Sequence, residues 1–326
     1  MLKKFREIIE RWKLFDASHR VLVGVSGGRD SISLLHLLCQ LPEKIRPKLV
    51  VAHFDHGLRG DQSAEERLFV ENLCRQWDVP CFSEKAPIWK DKNNLHDRAR
   101  QLRYDFFNRV VQEQSLSKIL TAHHADDQTE TFLMRWLQGA GLKGLAGIPM
   151  RRKMKQGNVE LIRPLLLIRR KEIAQYVQGN KLPFREDPSN QDSKYLRSRL
   201  RKWLQDLEEE NPNLSERTAW NALLLRADEN YLESVVDGIF YEHMEKTQRG
   251  WRCSISKWLA LEDSLRYRLL QKICRELLGE GSAPSIDFIF KMSDLLFLDG
   301  SKHYDLPGGF KFQKEGVFFE IFRIDS

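Results

Sequence analysis

The stretch VLVGVSGGRDSISLLHLL, residues 21–38, decides the fold of this chain. A short β-branched run, VLVGV at 21–25, leads directly into SGGRDS at 26–31, and a helical run follows at once. The two glycines let the backbone turn tightly and approach an anion, and the start of the helix presents unpaired amide groups at its positive end. The stretch therefore predicts a strand, a phosphate-binding loop and a helix, in that order.

This loop lacks the lysine of the Walker type, because no G-x-x-x-x-G-K-[ST] occurs in the chain. Ser26 and Ser31 supply hydroxyl donors, and Arg29 adds positive charge beside the nucleotide. The carboxylate of Asp30 would repel a bound phosphate unless Mg²⁺ bridged the two groups. We therefore predict a complex of Mg²⁺ with a nucleotide as the ligand, and Asp30 as the residue that binds the metal.

Outward from this loop, short β-branched runs alternate with amphipathic stretches through residue 138. The alternation predicts βαβ units, and hence an α/β fold with a doubly wound parallel sheet covered by helices on both faces. Ligands of such sheets bind at the carboxyl ends of the strands. The further strands are expected at 48–54, 81–85 and 117–123, and the further helices at 62–77, 94–114 and 125–138.

The rest of the chain has a different pattern. The acidic, proline-containing segment DLEEENPNLSE, 206–216, is typical of a domain boundary, although it could equally be a solvated turn between helices. Helical patterns follow at 215–246 and 262–279, and glycines in the tail separate short apolar runs that suggest small hairpins. We predict a catalytic domain over 1–205 and a smaller, mainly helical domain with a short β tail over 206–326.

Composition sets the class of protein. The chain has 53 basic and 46 acidic residues, a net charge of +7 that favours polyanionic partners. No apolar run approaches the roughly 20 residues that a membrane span requires, and the first residues lack the apolar core of a secretory signal, so we expect a cytoplasmic protein. Five cysteines without C-x-x-C spacing indicate buried free thiols, not disulfides or a zinc site.

Acidic and imidazole side chains gather where two predicted strands end, in HFDHGLR (53–59) and TAHHADDQTE (121–130). Because the carboxyl ends of parallel strands meet at one edge of a sheet, we expect these side chains beside the phosphate loop. Each histidine alone is more often a surface or helix-capping residue. The residues concerned are His53, Asp55, His56, His123, His124, Asp126, Asp127 and Glu130.

The spacing of two further motifs is compatible with more than one role. GAGLKG, 139–144, matches the dinucleotide fingerprint letter for letter, but it follows a helical run instead of a strand, and we interpret it as a flexible loop beside the site. Arg100 and Arg103 share one face of the helix predicted over 94–114. They would either reach a phosphate or carboxylate or form surface salt bridges.

Taken together, the motifs of residues 18–205 resemble those of the tRNA(Ile)-lysidine synthetases, a family of PP-loop ATP pyrophosphatases. One departure is Ser198, which stands where the family commonly has asparagine. The motifs that carry the resemblance, in the family's order, are SGGRDS, HFDHGLR, RARQLRY (98–104), TAHHADDQTET (121–131), GAGLKGLAGI (139–148), RPLL (163–166), EDPSN (186–190) and RSRLR (197–201).

The resemblance implies an activity and its partners. Enzymes of this family use ATP and Mg²⁺ to adenylate the C2 carbonyl oxygen of the wobble cytidine in an isoleucine tRNA with a CAU anticodon, releasing pyrophosphate. The side-chain amine of free L-lysine then displaces AMP. The basic stretches at 151–155, 169–171 and 197–203 would follow the tRNA, 206–326 would form a tRNA-binding accessory domain, and the enzyme would be a homodimer.

The resemblance also assigns roles to residues. Asp127 and Glu130 match positions that recognise the lysine amine, and either of them or His123 could accept its proton. Arg100 and Arg197 match positions that bind substrate or phosphate. The predicted catalytic residues are Asp30, Arg100, His123, Asp127 and Glu130. The predicted nucleotide-binding residues are Ser26, Gly27, Gly28, Arg29, Asp30, Ser31 and His53. The predicted substrate-binding residues are Arg100, Arg103, Asp127, Glu130 and Arg197.

Three other functions could use the same loop. A PP-loop tRNA thiolase would depend on paired or catalytic cysteines, whereas Cys39 falls within a helical pattern and Cys74 and Cys81 look structural. A small-molecule amide-forming synthetase fits poorly with the basic surplus over 151–172 and would bring a glutaminase segment. A nucleotide-binding regulator without turnover would not need the cluster over 123–130.

Overall fold

The structure is a computed structural model of the 326-residue chain. It describes residues 1–57, 61–87, 95–154, 158–185, 196–279 and 285–324. The chain divides into two compact units, Met1–Arg226 and Ala227–Ser326. Within the described ranges, no helix is both long enough and apolar enough to cross a membrane.

The first unit alternates strands and helices, as the sequence predicts. Its strands are β1 (Arg20–Gly24), β2 (Lys48–Asp55), β3 (Cys81–Lys85), β4 (Lys118–Leu120), β5 (Arg151–Lys153) and β6 (Glu160–Ile162). Its helices are α1 (Leu2–Trp12), α2 (Arg29–Cys39), α3 (Asp61–Gln76), α4 (Leu95–Glu113), α5 (Ala125–Leu137), α6 (Leu142–Leu145), α7 (Arg170–Gly179), α8 (Leu196–Glu210) and the first part of α9 (Leu214–His243).

The six strands form one sheet in the order β3-β2-β1-β4-β6-β5. The pairs are parallel except for β5, which runs antiparallel to β6. Strand β1 lies between β2 and β4, so the chain leaves β1 at the point where the strand order reverses. This topology confirms the predicted fold class and brings the loop after β1 next to the segment after β4.

Alternate residues of β1 face opposite layers, as the twofold period of a strand requires. Val21 and Val23 join a core with α1, α2, α3 and α7, whereas Leu22 joins a second core with α4. All three side chains are fully buried. Helices therefore cover the sheet on both faces, and the carboxyl edge of the strands is left for ligands.

The second unit combines helices with a five-stranded antiparallel sheet of order β7-β8-β11-β10-β9. Phe312 and Phe319 of the sheet and Trp258 form the centre of its core. The strands are β7 (Met244–Lys246), β8 (Gly250–Ser254), β9 (Lys302–Leu306), β10 (Phe310–Glu315) and β11 (Phe318–Arg323). The helices are α10 (Ile255–Leu259), α11 (Asp263–Leu278), α12 (Ile286–Phe297) and the rest of α9. The sequence predicted α9, α11 and the C-terminal hairpins but missed α10, α12, β7 and β8. The three residues of β7 fall within the helix predicted over 215–246, and a strand that short has no alternating pattern of its own.

The chain divides into its two compact units within α9, between Arg226 and Ala227, whereas the predicted catalytic domain ends at residue 205. Helix α8 packs against α5 through an ion pair between Arg201 and Glu130, and Ala219 of α9 is buried in the first core. Arg226 donates hydrogen bonds to the carbonyl groups of residues 146 and 147. These contacts join the helices around 206–216 to the first unit.

Candidate active site

The loop between β1 and α2 has the geometry of an anion-binding turn. Gly27 has a φ of 86°, a left-handed conformation that side chains disfavour, and a Cβ there would lie 3.4 Å from Val70. Gly28 is the N-cap of α2, so the helix begins directly at the loop and presents its first amide groups there. The Ser31 hydroxyl donates to the Gly28 carbonyl at 2.9 Å and accepts from the Ser26 amide at 3.1 Å. The two serines thus hold the loop in shape before a ligand binds.

A cavity of about 870 Å³ opens beside this loop at the carboxyl edge of the sheet. This volume lies within the range of small-molecule sites. The predicted site residues that line it are Ser26, Gly28, Arg29, Asp30, Ser31, Arg100, Arg103, His123 and Asp127.

Sequence reasoning missed several residues that complete the cavity wall. Arg201 and Lys202 come from the basic stretch over 197–203, which predicted RNA contact but not a place beside the nucleotide. Phe184 and Arg185 directly precede the EDPSN motif, which itself lies outside the described residues. The missed residues with the largest side chains are Phe54, Phe107, Arg170, Phe184, Arg185, Arg201, Lys202 and Gln205.

His53, predicted to contact the nucleotide, does not line the cavity. It lies on β2, is 2% exposed, and donates from Nδ1 to the Val25 carbonyl oxygen at 2.9 Å. Because a carbonyl oxygen only accepts, Nδ1 carries the ring proton. Burial lowers the pKa of His53, so the ring is neutral near pH 7. His53 therefore supports the residue that precedes the phosphate loop.

Two other predicted residues, Gly27 and Glu130, also stand apart from the cavity lining. Gly27 forms the turn of the loop, but the side of the loop on which a Cβ would lie faces Val70 and Phe69. Glu130 lines a smaller adjacent cavity of about 370 Å³. Arg197 belongs to α8, but its side chain lies outside the part of the chain that the structure describes.

His124, the buried N-cap of α5, lies between the carboxylates of the SGGRDS loop and those of the TAHHADDQTE segment. Its Nε2 lies 3.5 Å from an oxygen of Asp30 and 3.7 Å from one of Asp127, and its Nδ1 lies 3.6 Å from one of Asp126. Burial disfavours the charged ring, but the carboxylates of Asp127, Asp126 and Asp30 outweigh it and hold the pKa of His124 well above its usual value. A positive charge therefore ties the phosphate loop to the start of α5.

The pKa of the neighbouring His123 is shifted in the opposite direction to that of His124. Its ring lies in the cavity wall, with Nδ1 3.1 Å from the Thr121 hydroxyl. Burial lowers the pKa of His123 to about 3, assisted by nearby arginines and only partly opposed by Asp127. The ring is neutral at physiological pH, so it can form hydrogen bonds with a substrate but is a weak base.

Asp127 and Glu130 both lie near the start of α5, as their spacing predicts, but their surroundings differ. Asp127 lines the main cavity and accepts a hydrogen bond from the His124 amide at 3.1 Å. Glu130 is buried and accepts from Nε of Arg201 at 2.7 Å. Because Arg201 already compensates the charge of Glu130, a cation entering the main cavity would meet Asp127 first.

The cavity wall formed by α4 is positively charged, and the buried Arg163, which follows β6 and does not line the cavity, lies close enough to act on His123 electrostatically. The guanidinium carbons of Arg100 and Arg103 lie 5.1 and 5.4 Å from the centre of the Tyr104 ring. Burial lowers the pKa of Arg103, and it lowers the pKa of Arg163 to about 10. Within the described residues, neither Arg103 nor Arg163 forms an ion pair with a carboxylate. This wall suits an anionic group.

Asp30 fits the predicted role of magnesium ligand. Its Oδ1 is buried and has no hydrogen-bond partner among the described residues, whereas its Oδ2 faces His124. The hydroxyl groups of Ser26 and Ser31 add oxygen donors beside it. Magnesium is usually bound by one or two carboxylates together with substrate phosphates, and this donor set is of that kind.

The GAGLKGLAGI segment follows helix α5, as the sequence indicated, and contributes no described residue to either cavity. Its middle forms the short helix α6. Its end is anchored by Gln128, whose side-chain oxygen accepts from the Ile148 amide at 2.6 Å. The segment therefore braces α5 from outside the cavity.

The five cysteines are free thiols, as predicted. Cys74, Cys253 and Cys274 are buried, whereas Cys39 and Cys81 are half-buried. Among the described residues, no group of three or more histidine, cysteine or acidic side chains is arranged to hold a metal ion by itself.

The strand order, the loop at the switch point and the cavity beside it define a nucleotide-binding protein of the PP-loop class, and a family model described as a PP-loop domain matches residues 1–208. Within this class the chain belongs to the tRNA(Ile)-lysidine synthase family. It is 35% identical over 324 residues to the tRNA(Ile)-lysidine synthase of Geobacillus kaustophilus (strain HTA426), covering 95% of this chain and 68% of that protein.

Two other relatives have similar levels of sequence identity to this chain. The tRNA(Ile)-lysidine synthase of Geobacter sulfurreducens is 37% identical over 295 residues, 89% of this chain and 62% of that protein. The bifunctional protein TilS/HprT of Listeria monocytogenes is 32% identical over 312 residues, 94% of this chain and 48% of that protein. The chain thus spans about half to two thirds of the length of these relatives.

A solved structure shares the fold. The U34-tRNA thiolase NcsA of Methanococcus maripaludis superposes with a TM-score of 0.57, covering 69% of this chain and 78% of that chain. At 19% sequence identity this likeness concerns the fold alone.

Proposed function

We propose that this chain uses ATP to attach free L-lysine to the wobble cytidine of an isoleucine tRNA with a CAU anticodon, forming lysidine. Membership in the tRNA(Ile)-lysidine synthase family supports the proposal. The observation that carries it is a single cavity lined by Ser26 and Ser31 of the phosphate loop, by the carboxylate of Asp127 and by the arginines of α4.

In the first step, the C2 carbonyl oxygen of the cytidine attacks the α-phosphorus of ATP, and pyrophosphate leaves. The amide groups at the start of α2 and the hydroxyl groups of Ser26 and Ser31 would bind the departing phosphates. They suit this role because the loop is held in shape by its own hydrogen bonds, and donors fixed in advance need no reorganisation during the reaction. Magnesium, when bound by Asp30, would neutralise charge on the phosphates.

In the second step, the side-chain amine of lysine attacks C2, and AMP leaves with the former carbonyl oxygen. An ammonium group with a pKa near 10.4 is a free amine in only about one molecule in 10³ at pH 7, so a proton acceptor must assist. Asp127 lines the main cavity with a carboxylate that can accept a hydrogen bond from the ammonium, whereas Glu130 is paired with Arg201 and the neutral ring of His123 offers no charge to attract a cation. Arg100 and Arg103 would bind an anionic group of a substrate.

The test is transfer of radiolabelled lysine to a transcript of isoleucine tRNA with a CAU anticodon, in the presence of ATP and Mg²⁺. We expect labelled tRNA with release of AMP and pyrophosphate, and no label without ATP. Asp30→Ala and Asp127→Ala should reduce the rate by at least about 10²-fold, the typical contribution of one catalytic group. Asp299→Ala, at an exposed aspartate of the second unit, is the matched control and should keep full activity.

Two outcomes would contradict the proposal. Full labelling by both Asp30→Ala and Asp127→Ala would remove the assigned site. Incorporation of sulfur in place of lysine would make the chain a tRNA thiolase.

We also propose that the chain acts in the cytoplasm, where ATP, lysine and tRNA occur together, and that it forms a homodimer. Four large apolar side chains that are more than two-fifths exposed on α5 and α8 support self-association: Trp136, Leu137, Trp203 and Leu207. Light scattering on the purified protein should give about twice the chain mass of 38.4 kDa. A mass that stays at one chain at micromolar concentration would contradict the dimer.

A further inference from the structure

Four side chains along α4 connect the arginine wall of the cavity to the strand before the phosphate loop. Arg100, Arg103, Tyr104 and Phe107 are spaced at i, i+3, i+4 and i+7, so they share one face of the helix. Both arginines and Phe107 line the cavity. Tyr104 does not line it and is only 7% exposed, which gives its ring no direct role with a ligand.

The Tyr104 ring is in contact with both arginines. The two guanidinium carbons lie 5.1 Å and 5.4 Å from its centre, within the range of cation–π attraction. Within the described part of the chain, neither Arg100 nor Arg103 forms an ion pair with a carboxylate. Packing on the ring is therefore a contact that restricts these two long side chains.

Phe107 fixes the orientation of the Tyr104 ring in turn. The two rings meet edge to face, with centroids 5.9 Å apart and an interplanar angle of 81°. Phe107 also packs against Gly24 at the end of β1, so closely that a Cβ on Gly24 would lie 2.9 Å from the ring. The stack thus extends from the strand before the phosphate loop to the two arginines.

We propose that Tyr104 is a positioning residue, whose ring holds Arg100 and Arg103 in the orientation in which they bind an anionic group of a substrate. The identity of the substrates rests on the proposed function, whereas the arrangement of the side chains does not. Tyr104 acts through the two arginines, so its loss should weaken the binding of one substrate and leave the chemical step nearly intact.

The test compares Tyr104→Met with Tyr104→Phe. Methionine keeps an apolar side chain of similar length but has no ring, whereas phenylalanine keeps the ring and removes only the hydroxyl group. We expect Tyr104→Met to raise the KM of one substrate about tenfold, with kcat within about twofold, and Tyr104→Phe to restore the KM to within about twofold. The KM values of ATP, lysine and tRNA are measured separately, and Arg103→Lys should affect the same substrate.

A matched control is available in the second unit. Tyr304 there forms the same kind of pair, with the Lys291 ammonium 5.7 Å from its ring centre and the Phe288 ring beside it. Tyr304→Met should leave the KM values of ATP and lysine unchanged, because the residues that line the cavity all belong to the first unit. Unchanged KM values in Tyr104→Met would overturn the proposal, as would a Tyr104→Phe variant that is as impaired as Tyr104→Met.

An NMR measurement that needs no catalytic turnover tests this inference independently of the proposed function. It can be made on the unaltered protein even if Tyr104→Met does not fold. The Nε–H resonances of Arg100 and Arg103, assigned with Arg→Lys variants, should be shifted upfield by the ring current of Tyr104. The shift should persist in Tyr104→Phe. Resonances at the positions of solvent-exposed arginines would overturn the proposal even if lysine transfer is observed, and shifted resonances would support it even if lysine transfer fails.

Discussion

At the scale of single residues, His53 lies next to the phosphate loop but outside the cavity lining. Its Nδ1 donates to the Val25 carbonyl, and the Val25 amide donates to the Ala52 carbonyl at 3.0 Å. Both hydrogen bonds fix the backbone directly before Ser26. His53 should therefore influence ATP binding through the loop, although its ring lies outside the cavity.

Two substitutions can distinguish the ring nitrogens of His53. Asparagine places an N–H group close to the position of Nδ1, whereas glutamine places it near that of Nε2. We expect His53→Asn to keep the KM for ATP within about threefold, and His53→Gln to raise it about five- to tenfold, the effect of losing one hydrogen bond to a backbone carbonyl. Equal KM values in the two variants, in enzymes of similar melting temperature, would argue against this role.

His123 predicts a dependence of stability on pH. Its pKa is about 3 in the folded protein and 6.5 as the ordinary value, so between these limits the unfolded chain binds more protons. The contribution of His123 to stability is therefore complete above pH 6.5 and is lost as the pH falls towards 3, by at most about 1.4 kcal/mol per pH unit.

Replacing His123 removes its pH-dependent contribution to the free energy of unfolding. Between pH 6 and pH 4, the unfolding free energy of His123→Asn should fall less steeply than that of the unaltered protein, measured by urea denaturation without ATP or Mg²⁺. His303→Asn, at an exposed position on β9, is the control and should follow the unaltered protein. A His123→Asn curve parallel to that of the unaltered protein would mean that the ring is charged in the folded state.

The sequence located most of the candidate site because each motif follows a strand whose position in the sheet can be inferred. It did not single out His124, which touches carboxylates of both motifs and is recognisable only once β1 and β4 are neighbours. It also placed Glu130 in an open site, whereas Arg201 comes from α8 to neutralise it. Contacts between segments far apart in sequence are what local patterns cannot supply.

At the scale of elements, the GAGLKGLAGI segment shows why a fingerprint of glycines needs its context. Gly147 has a φ of 61°, and a Cβ there would lie 2.6 Å from the Gln128 side-chain oxygen, which binds the Ile148 amide. Gly141, in the same segment, has a φ of −72° and open space around it. Gly147 therefore requires glycine for both its backbone conformation and its packing, whereas Gly141 requires it for neither.

These two glycines make a matched pair. Gly147→Ala should lower the unfolding free energy by about 2 to 4 kcal/mol, since it adds left-handed strain and displaces a buried side chain of α5. Gly141→Ala should change it by less than about 0.5 kcal/mol. Chemical denaturation measures both values, and a similar loss in the two variants would show that the loop as a whole, and not the contact with Gln128, controls stability.

At the scale of the whole molecule, local patterns predicted the parallel sheet and a catalytic domain over 1–205, close to the 1–208 matched by the family model, whereas the two compact units divide later, after Arg226. The segment over 206–216 is acidic and contains proline, which are surface properties that a turn between two packed helices shares with a linker. Burial of Ala219 at the start of α9 is a tertiary contact, and one short side chain gives little periodic signal. The same limit explains the missed strands of the second unit, whose apolar face is completed by distant strands.

The boundary can be tested with two fragments. Residues 1–226 keep Ala219, Trp220 and Leu223 packed on the first core, and Lys4 keeps its 2.8 Å ion pair with Glu216. Residues 1–205 lose all of these contacts and truncate α8. The shorter fragment should therefore be less stable by about 3 kcal/mol or more, a fall in melting temperature of roughly 6 to 12 °C. Thermal denaturation and equilibrium ATP binding check both fragments, and equal melting temperatures would support the boundary predicted at residue 205. A fragment over 1–226 that fails to bind ATP while the full chain binds it would show that the second unit contributes to the nucleotide site.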